Sequence, residues 1–319
     1  MKTELSAEAL ELEQVVEAAL RKAGGFELVR QAEAGEPSGT VRTLLAEIGV
    51  WELRPRESAV DGEAAAAVCR AAGRFALPYP VAQRLAGDPE SGVDAVAVVP
   101  LPSPRINLAD VDPALSWFAL DGRGRRAPVV STGARVGSKL GALACPVELG
   151  EWSGDGGLTP LALTLPCWVL LGMVDEALRM TRRHLLDRQQ FGRPLATFQA
   201  LQFQLADTAA QLQGFEELAK YTLWSVLSGQ PGAATDAVAL RMSALETAEA
   251  VFRTGHQMFG AMGFCDETDL SWLSRHSQPI RRLPWGRSQT QARLLETVES
   301  VPLASLFTDT GEDLLVTGT

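Results

Sequence analysis

The residues of this 319-residue chain with the most chemical potential fall in three short runs. Asp187-Arg-Gln-Gln-Phe-Gly-Arg-Pro-Leu195 sets a cation, Arg188, ahead of an aromatic, Phe191, and a glycine, Gly192. That order can supply a positive charge, a stacking surface and a tight turn, which suits an anionic ligand with a flat ring. His256-Gln-Met-Phe-Gly-Ala-Met-Gly-Phe264 places an imidazole and an amide, His256 and Gln257, just before Gly260, where the absence of a Cβ permits close approach. The third run, Pro284-Trp-Gly-Arg287, leads into Gln289. Each run also has a plain structural meaning: Arg188 caps a helix, Gln257 is a surface amide and His256 ends a helix.

Candidate proton carriers are Asp175, Glu176, Glu246 and Glu249, all in helical stretches where acids ordinarily face solvent. The three histidines form no HExxH, and the four cysteines (Cys69, Cys145, Cys167 and Cys265) form no CxxC, so no metal site is expected. The cysteines sit among small or apolar neighbours and read as reduced core residues of a cytoplasmic protein. A net charge of −10 argues against nucleic acid or an anionic membrane as a partner. The acidic N-terminus is not a signal peptide, and Leu158–Met173, interrupted by Pro160 and Pro166, is too short and broken to span a bilayer.

The elements that must position these residues fall into three zones. Residues 1–88 carry helical periodicity: Leu10, Val15, Ala18 and Leu20 mark one helix, Val41, Leu44, Leu45 and Ile48 a second that Gly49 stops, and Gly62–Ala72 a third that ends at Gly73. Residues 89–157 change character. Val93–Val99 and Ala114–Leu120 predict strands, Asp121-Gly-Arg-Gly124 a turn, and Pro100, Pro102 and Pro104 exclude a helix. Gly154-Asp-Gly-Gly157 predicts a linker. Residues 158–319 are helical again, with periodic stretches over Ala162–Gln190, Phe198–Leu227 and Ala233–Phe259 and a last one after Gly286. Four long helices with short connections predict a bundle, followed by a tail after Pro302 with little order.

With its order of helices, β-segment and bundle, the chain resembles an acyl-CoA dehydrogenase. The residues that carry the resemblance are Asp187–Leu195 followed by Phe198-Gln-Ala-Leu-Gln202 and Leu205-Ala-Asp207, then His256–Phe264, Asp269-Leu-Ser-Trp-Leu-Ser-Arg275, and Ala72-Gly-Arg-Phe-Ala-Leu-Pro-Tyr-Pro80. The resemblance implies a mainly α fold with a small β-domain, and an FAD cofactor. Arg188 would reach a neighbouring subunit's FAD, Phe191, Gln257 and Gly260 would contact the same flavin, and Gln289 would face its adenine end.

Two departures shape what the resemblance implies. The family's catalytic glutamate precedes the glycine of a Glu-Gly-Thr turn, where this chain has Trp285, with Arg287 in place of the threonine. The alternative base position falls at Ala162, followed by Leu163, so neither site holds an acid and no catalytic residue is assigned. The segment that should cradle the flavin is reduced to Pro100–Arg105, a short Trp117-Phe118 strand and little else. The chain therefore resembles the small, base-less subunit that pairs with a full-length acyl-CoA dehydrogenase homologue in an α2β2 assembly. FAD would be shared with or held mainly by that partner, and the acyl-CoA substrate, of the steroid side-chain type, would be desaturated with the partner's base. Two other readings stay open: a homomeric flavoenzyme with a displaced base, for which His256 is the least implausible substitute, and a flavin-free scaffold or CoA-thioester-binding protein.

Overall fold

The computed structural model describes residues 4–35, 39–122, 124–134, 136–138, 141–154 and 159–300. Five helices come first: α1 (Ala7–Lys22), α2 (Glu27–Glu33), α3 (Gly39–Glu47), α4 (Ala59–Arg74) and α5 (Val81–Leu85). Six strands follow: β1 (Ala95–Val98), β2 (Arg105–Ala109), β3 (Trp117–Leu120), β4 (Arg126–Thr132), β5 (Val136–Ser138) and β6 (Gly141–Leu149). The rest is helical apart from a small hairpin, β7 (Gln189–Gln190) with β8 (Arg193–Pro194). Its helices are α6 (Thr159–Asp187), α7 (Gln199–Leu227), α8 (Ala233–Phe259), α9 (Asp269–His276), α10 (Gln278–Arg282) and α11 (Arg287–Ser300). The fold is mainly α with one small sheet, as the sequence predicts, and α6, α7, α8 and α11 are the four long stretches of the C-terminal region. The expected linker at 154–157 lies largely outside the described residues, as does the tail after Pro302.

Side-chain caps explain where the first helices start. The Ser6 hydroxyl accepts from the Ala9 N–H at the head of α1, and Ser58 accepts from Asp61 at the head of α4. The buried stripe of α1 is Ala9, Glu13, Val16 and Leu20, which corrects the stripe expected from its apolar residues, since Leu10 and Val15 face solvent. Charge turns the helix. Glu13 is drawn inward by Arg70 and Arg74 of α4 (3.7 and 3.8 Å), although burial raises its carboxyl above the ordinary range.

A second correction concerns Gly73, which does not stop its helix. Helix α4 begins at Ala59, three residues before the expected start, and runs to Arg74. Gly73 is instead a point of backbone contact: a Cβ there would collide with the Val169 carbonyl of α6, and a Cβ at Gly172 would collide with the Arg70 carbonyl of α4. Two glycines thus let the helices touch main chain to main chain. Around the crossing Arg70 pairs with Glu216 (3.0 Å) and Asp175 (3.3 Å), and Arg74 pairs with Asp175 (2.7 Å) and Glu17 (2.9 Å).

Helix α6 also corrects the reading of the apolar stretch. It continues unbroken through Pro166 for 29 residues and is long and apolar enough to cross a membrane. Most of its apolar window is buried against other helices, with Leu165, Trp168 and Leu171 fully enclosed, as in the core helix of a folded bundle. Pro166 has no N–H to offer, so the Ala162 carbonyl lacks its helical partner.

The β-segment holds more than the two predicted strands. In the described residues the strand order is β1-β3-β4-β6-β2, with β5 also on β6; β1 and β3 are parallel and the other pairs antiparallel. Of the missed strands, β2 and β5 are short, and β4 and β6 are interrupted by Pro128 and Pro146, so their alternation is weak in sequence. Leu108, Trp117, Ala127, Cys145 and Val147 form the sheet's own core, while β1 rests on α5 and α6. The larger core is continuous from α1 to Trp285 and joins the N-terminal helices to the bundle. Of the four cysteines, Cys69, Cys145 and Cys167 are buried as expected, whereas Cys265 is exposed, which corrects its assignment to the core.

Opposite outcomes are expected for two Gly→Ala substitutions on bundle helices. Gly172→Ala forces the α4–α6 crossing apart and lowers stability by about 1–3 kcal/mol or more, despite alanine's better helix propensity. Gly214→Ala, on α7 with nothing within 4 Å of the added methyl, raises stability by up to about 1 kcal/mol. Denaturant unfolding of the two variants beside the wild type checks both signs.

Candidate functional site

The two positions where the family resemblance places a base lie beside one cleft between α4, α6, the sheet and α10. Ala72, Ala97, Leu108, Ala162, Ile280 and Pro284 are among its walls. Its volume is about 80 Å³, against roughly 10–15 Å³ of the same measure for one water. A few waters fit; a three-ring flavin does not. Ala162 lines the cleft without a carboxylate, and Trp285, 3% exposed, belongs to the core just behind Pro284.

Trp285 is held on several sides. Its ring packs against Gly122 in the β3–β4 turn, where an added Cβ would lie 2.8 Å from the indole. The Arg293 guanidinium sits 4.7 Å from the ring centroid. Its carbonyl accepts from Nε and Nη2 of Arg241 (3.2 and 2.5 Å), and Arg241 Nη1 donates to the Ile280 carbonyl at 3.1 Å. Burial pushes the Arg241 guanidinium down to about 10, still cationic at neutral pH. This residue escaped the sequence reading, yet a signal exists: it lies on the buried stripe Ala237, Arg241, Ala244, Ala248, where a cation is out of place.

The candidate acids do not reach the cleft. Asp175 joins the arginine cluster at the α4–α6 crossing. Glu176 is buried rather than solvent-facing, a further correction, and both its oxygens accept from Arg179. Glu246 and Glu249 pair with Arg287 at 3.0 and 3.2 Å. His256 lies at the far end of α8, with Nε2 2.9 Å from Ser274 Oγ and its ring stacked on Phe264 at 4.3 Å. Burial lowers its pKa, and nothing there resembles a base at the cleft.

The opposite end of the bundle is open. Helix α6 ends at Asp187, the Arg188 N–H donates to the His184 carbonyl, and the Arg188 carbonyl accepts from Leu195 N–H at 2.9 Å. The β7–β8 hairpin then turns through Phe191 (φ +54°) and Gly192 (φ +79°). Glycine accepts that backbone freely, but phenylalanine does so at a strain of about 1–3 kcal/mol. Phe191 is nonetheless 87% exposed. Arg188 is exposed too, and makes no ion pair or side-chain hydrogen bond among the described residues.

His184, stacked on Phe259 at 4.2 Å, ties the end of α6 to the end of α8. Burial and the nearby Arg188 charge lower the His184 pKa, keeping this platform neutral. Gln257 is exposed beside it, and Gly260 adopts φ +60°, ψ −141°, a conformation open only to glycine. Met262 and Phe264 are exposed next to them. Arg188, Phe191, Gln257 and Gly260 therefore share one end of the bundle. Gln289 does not join them. It is exposed on α11, whose start is fixed by Arg287 to Glu249, about 12 Å along α8 from Gln257.

This exposed end fits part of a dinucleotide presented from outside the chain: an uncommitted guanidinium for phosphate, an exposed ring for stacking, and a glycine that leaves room for close approach. The interior cleft does not fit a flavin ring.

Residues 164–297 match the family model for the acyl-CoA dehydrogenase C-terminal domain. The short-chain specific acyl-CoA dehydrogenase of Megasphaera elsdenii is 31% identical over 121 residues, 38% of this chain and 31% of that relative. The matched region thus spans about a third of the length of the curated relatives. A chain of the ChsE4-ChsE5 complex from Mycobacterium tuberculosis superposes with a TM-score of 0.79 at 17% identity, covering 95% of this chain and 100% of that one. A chain of the Tcur3481-Tcur3483 steroid ACAD G363A variant does so with a TM-score of 0.75 at 19% identity, covering 92% and 98%. At these identities the superpositions establish the fold.

Trp285→Ala is expected to remove about 3–5 kcal/mol of stability, because it empties a packed site and strips the surface under Arg293. Chemical denaturation checks this; a loss below about 1 kcal/mol would mean that the indole is not a structural plug.

Proposed function

The chain belongs to the acyl-CoA dehydrogenase family, whose members are FAD-dependent flavoproteins, and from that premise we propose that it is the non-catalytic subunit of a heteromeric acyl-CoA dehydrogenase. The observation that carries this reading is the contrast between the two ends of α6. At one end the cleft is too small for a flavin and both base positions lack an acid. At the other, a strained aromatic stands exposed beside a cation that makes no ion pair among the described residues.

In this reading Arg188 neutralises phosphate of a flavin held mainly by the partner, while Phe191 and Gln257 cover its flank and Gly260 leaves the backbone room to approach. Gln289, on α11 and apart from the flavin-facing residues, would face the adenine end of the same dinucleotide. FAD, when bound, supplies the acceptor for hydride from the acyl Cβ, and the α-proton must pass to a carboxylate that this chain lacks at either expected position. The partner is a full-length acyl-CoA dehydrogenase homologue with an intact Glu-Gly-Thr turn, in an α2β2 assembly, and the pair works in the cytoplasm. The superpositions on chains from the ChsE4-ChsE5 complex and a steroid ACAD support a bulky steroid side-chain thioester of CoA as substrate.

Visible spectra test the proposal directly. The chain purified alone is expected to be colourless, and co-expression with the partner to give stoichiometric flavin bands. Arg188→Ala should weaken FAD retention about 10- to 100-fold, the loss of one charge-assisted contact. A lone chain that is stoichiometrically yellow would overturn the heteromer in favour of a homomeric flavoenzyme. No flavin with any partner would point to a scaffold.

A further inference from the structure

The strained hairpin at the end of α6 poses a question that its exposed residues do not answer: what holds them in place. Phe191 has a left-handed backbone and an almost fully exposed ring, so it has little core packing to fix it. Arg193 is exposed as well and makes no ion pair among the described residues. Both side chains meet the same neighbour. The Phe198 ring stands edge-to-face to Phe191, with centroids 6.0 Å apart at 80°, and the Arg193 guanidinium carbon lies 4.2 Å from the Phe198 centroid.

Phe198 is itself firmly placed. It is half-buried at the head of α7, where its N–H donates to Leu195 and its carbonyl accepts from both Leu201 and Gln202. Leu195 N–H in turn donates to the Arg188 carbonyl. The Thr197 hydroxyl donates to the Pro194 carbonyl at 2.7 Å, and the Gln202 amide to the Ala196 carbonyl at 2.7 Å, so the turn between hairpin and helix is braced from both sides. One ring thus links the head of α7 to both Phe191 and Arg193 of the hairpin.

We propose that Phe198 is the positioning residue of the flavin-facing end, holding Phe191 and Arg193, and through the shared turn Arg188, where an incoming FAD meets them. The inference rests on the reading of this end given under Proposed function. Phe198 need not touch the cofactor. Its two contacts, a T-shaped aromatic pair and a cation–π pair, restrain side chains that would otherwise have to be ordered when FAD arrives. Losing them shifts that ordering penalty onto binding.

The test is titration of FAD into the deflavinated complex, read as quenching of flavin fluorescence, with the wild type, Phe198→Ala, Phe198→Leu, Phe198→Tyr and Arg188→Ala. Phe198→Ala should weaken FAD about tenfold, the sum of two modest ring contacts. Phe198→Leu, which keeps apolar bulk at the α7 head but no π face, should behave like Phe198→Ala, and Phe198→Tyr should restore wild-type affinity. Melting of the lone chain and its elution with the partner should stay at wild-type values in Phe198→Leu, a result that separates positioning from folding. Wild-type affinity in Phe198→Leu while Arg188→Ala loses flavin overturns this inference and leaves the function standing. Wild-type affinity in Arg188→Ala removes the reading on which both depend.

Discussion

The close crossing of α4 and α6 is the constraint on which the rest of the molecule depends. Gly73 and Gly172 face each other's helix backbones, so the two axes approach until main-chain carbonyls form the contact surface. Any larger residue at either glycine would act as a wedge. Because the crossing falls near the middle of α6, both ends of that 29-residue helix are fixed at once. Its N-terminal half is pressed against the sheet and α5, and its C-terminal half carries Arg188 to the far end of the bundle. The charged ring of Arg70, Arg74, Asp175, Glu13, Glu17 and Glu216 closes over the crossing. Helix α4 supplies Arg70 and Arg74 to it, and the α1 and α7 acids are drawn onto them.

The two ends of α6 then meet opposite fates for packing reasons. At the cleft, Ala162 offers no polar group, and the turn before α11 turns Trp285 into the protein. An indole fills that space and the Arg241 guanidinium satisfies the carbonyls of the same turn, so the region is stabilised as core. At the other end the chain keeps features that weaken it as an isolated fold: a left-handed phenylalanine, exposed Phe203, Met262 and Phe264, and an arginine with no ion pair among the described residues. Strain and exposure of this kind, gathered in one place, are what a surface completed by another molecule requires.

Much of this was legible in the sequence, though unevenly. The long helices α6, α7, α8 and α11 follow their apolar periodicity and Gly/Pro breaks nearly residue for residue, because many turns average out local exceptions. The motif residues Arg188, Phe191, Gln257 and Gly260 were recognisable from type and spacing, and the structure gathers them at one end. The β-segment was only half legible, since β1 pairs with β3 and β6 pairs with both β2 and β4, contacts that skip intervening strands. The face of α1 was misread because a buried Glu13 outweighs an apolar Leu10 once two arginines wait on α4. Gly73 was misread for a related reason: a glycine that ends a helix and one that admits a neighbour look alike until the neighbour is known.

The sequence by itself therefore determined the helical framework, the absence of an acid at Trp285 and Ala162, and the order of the motif residues, all properties of spacing along one chain. Only the tertiary structure decided that the cleft is narrow, that Asp175, Glu176, Glu246 and Glu249 are committed to ion pairs, and that Gln289 stands apart from the other motif residues. Apart from Glu176, whose partner Arg179 lies one turn along α6, those are questions of which surfaces meet across long separations in sequence. The answer depends on how closely two backbones can approach, which here is set by two glycines about a hundred residues apart.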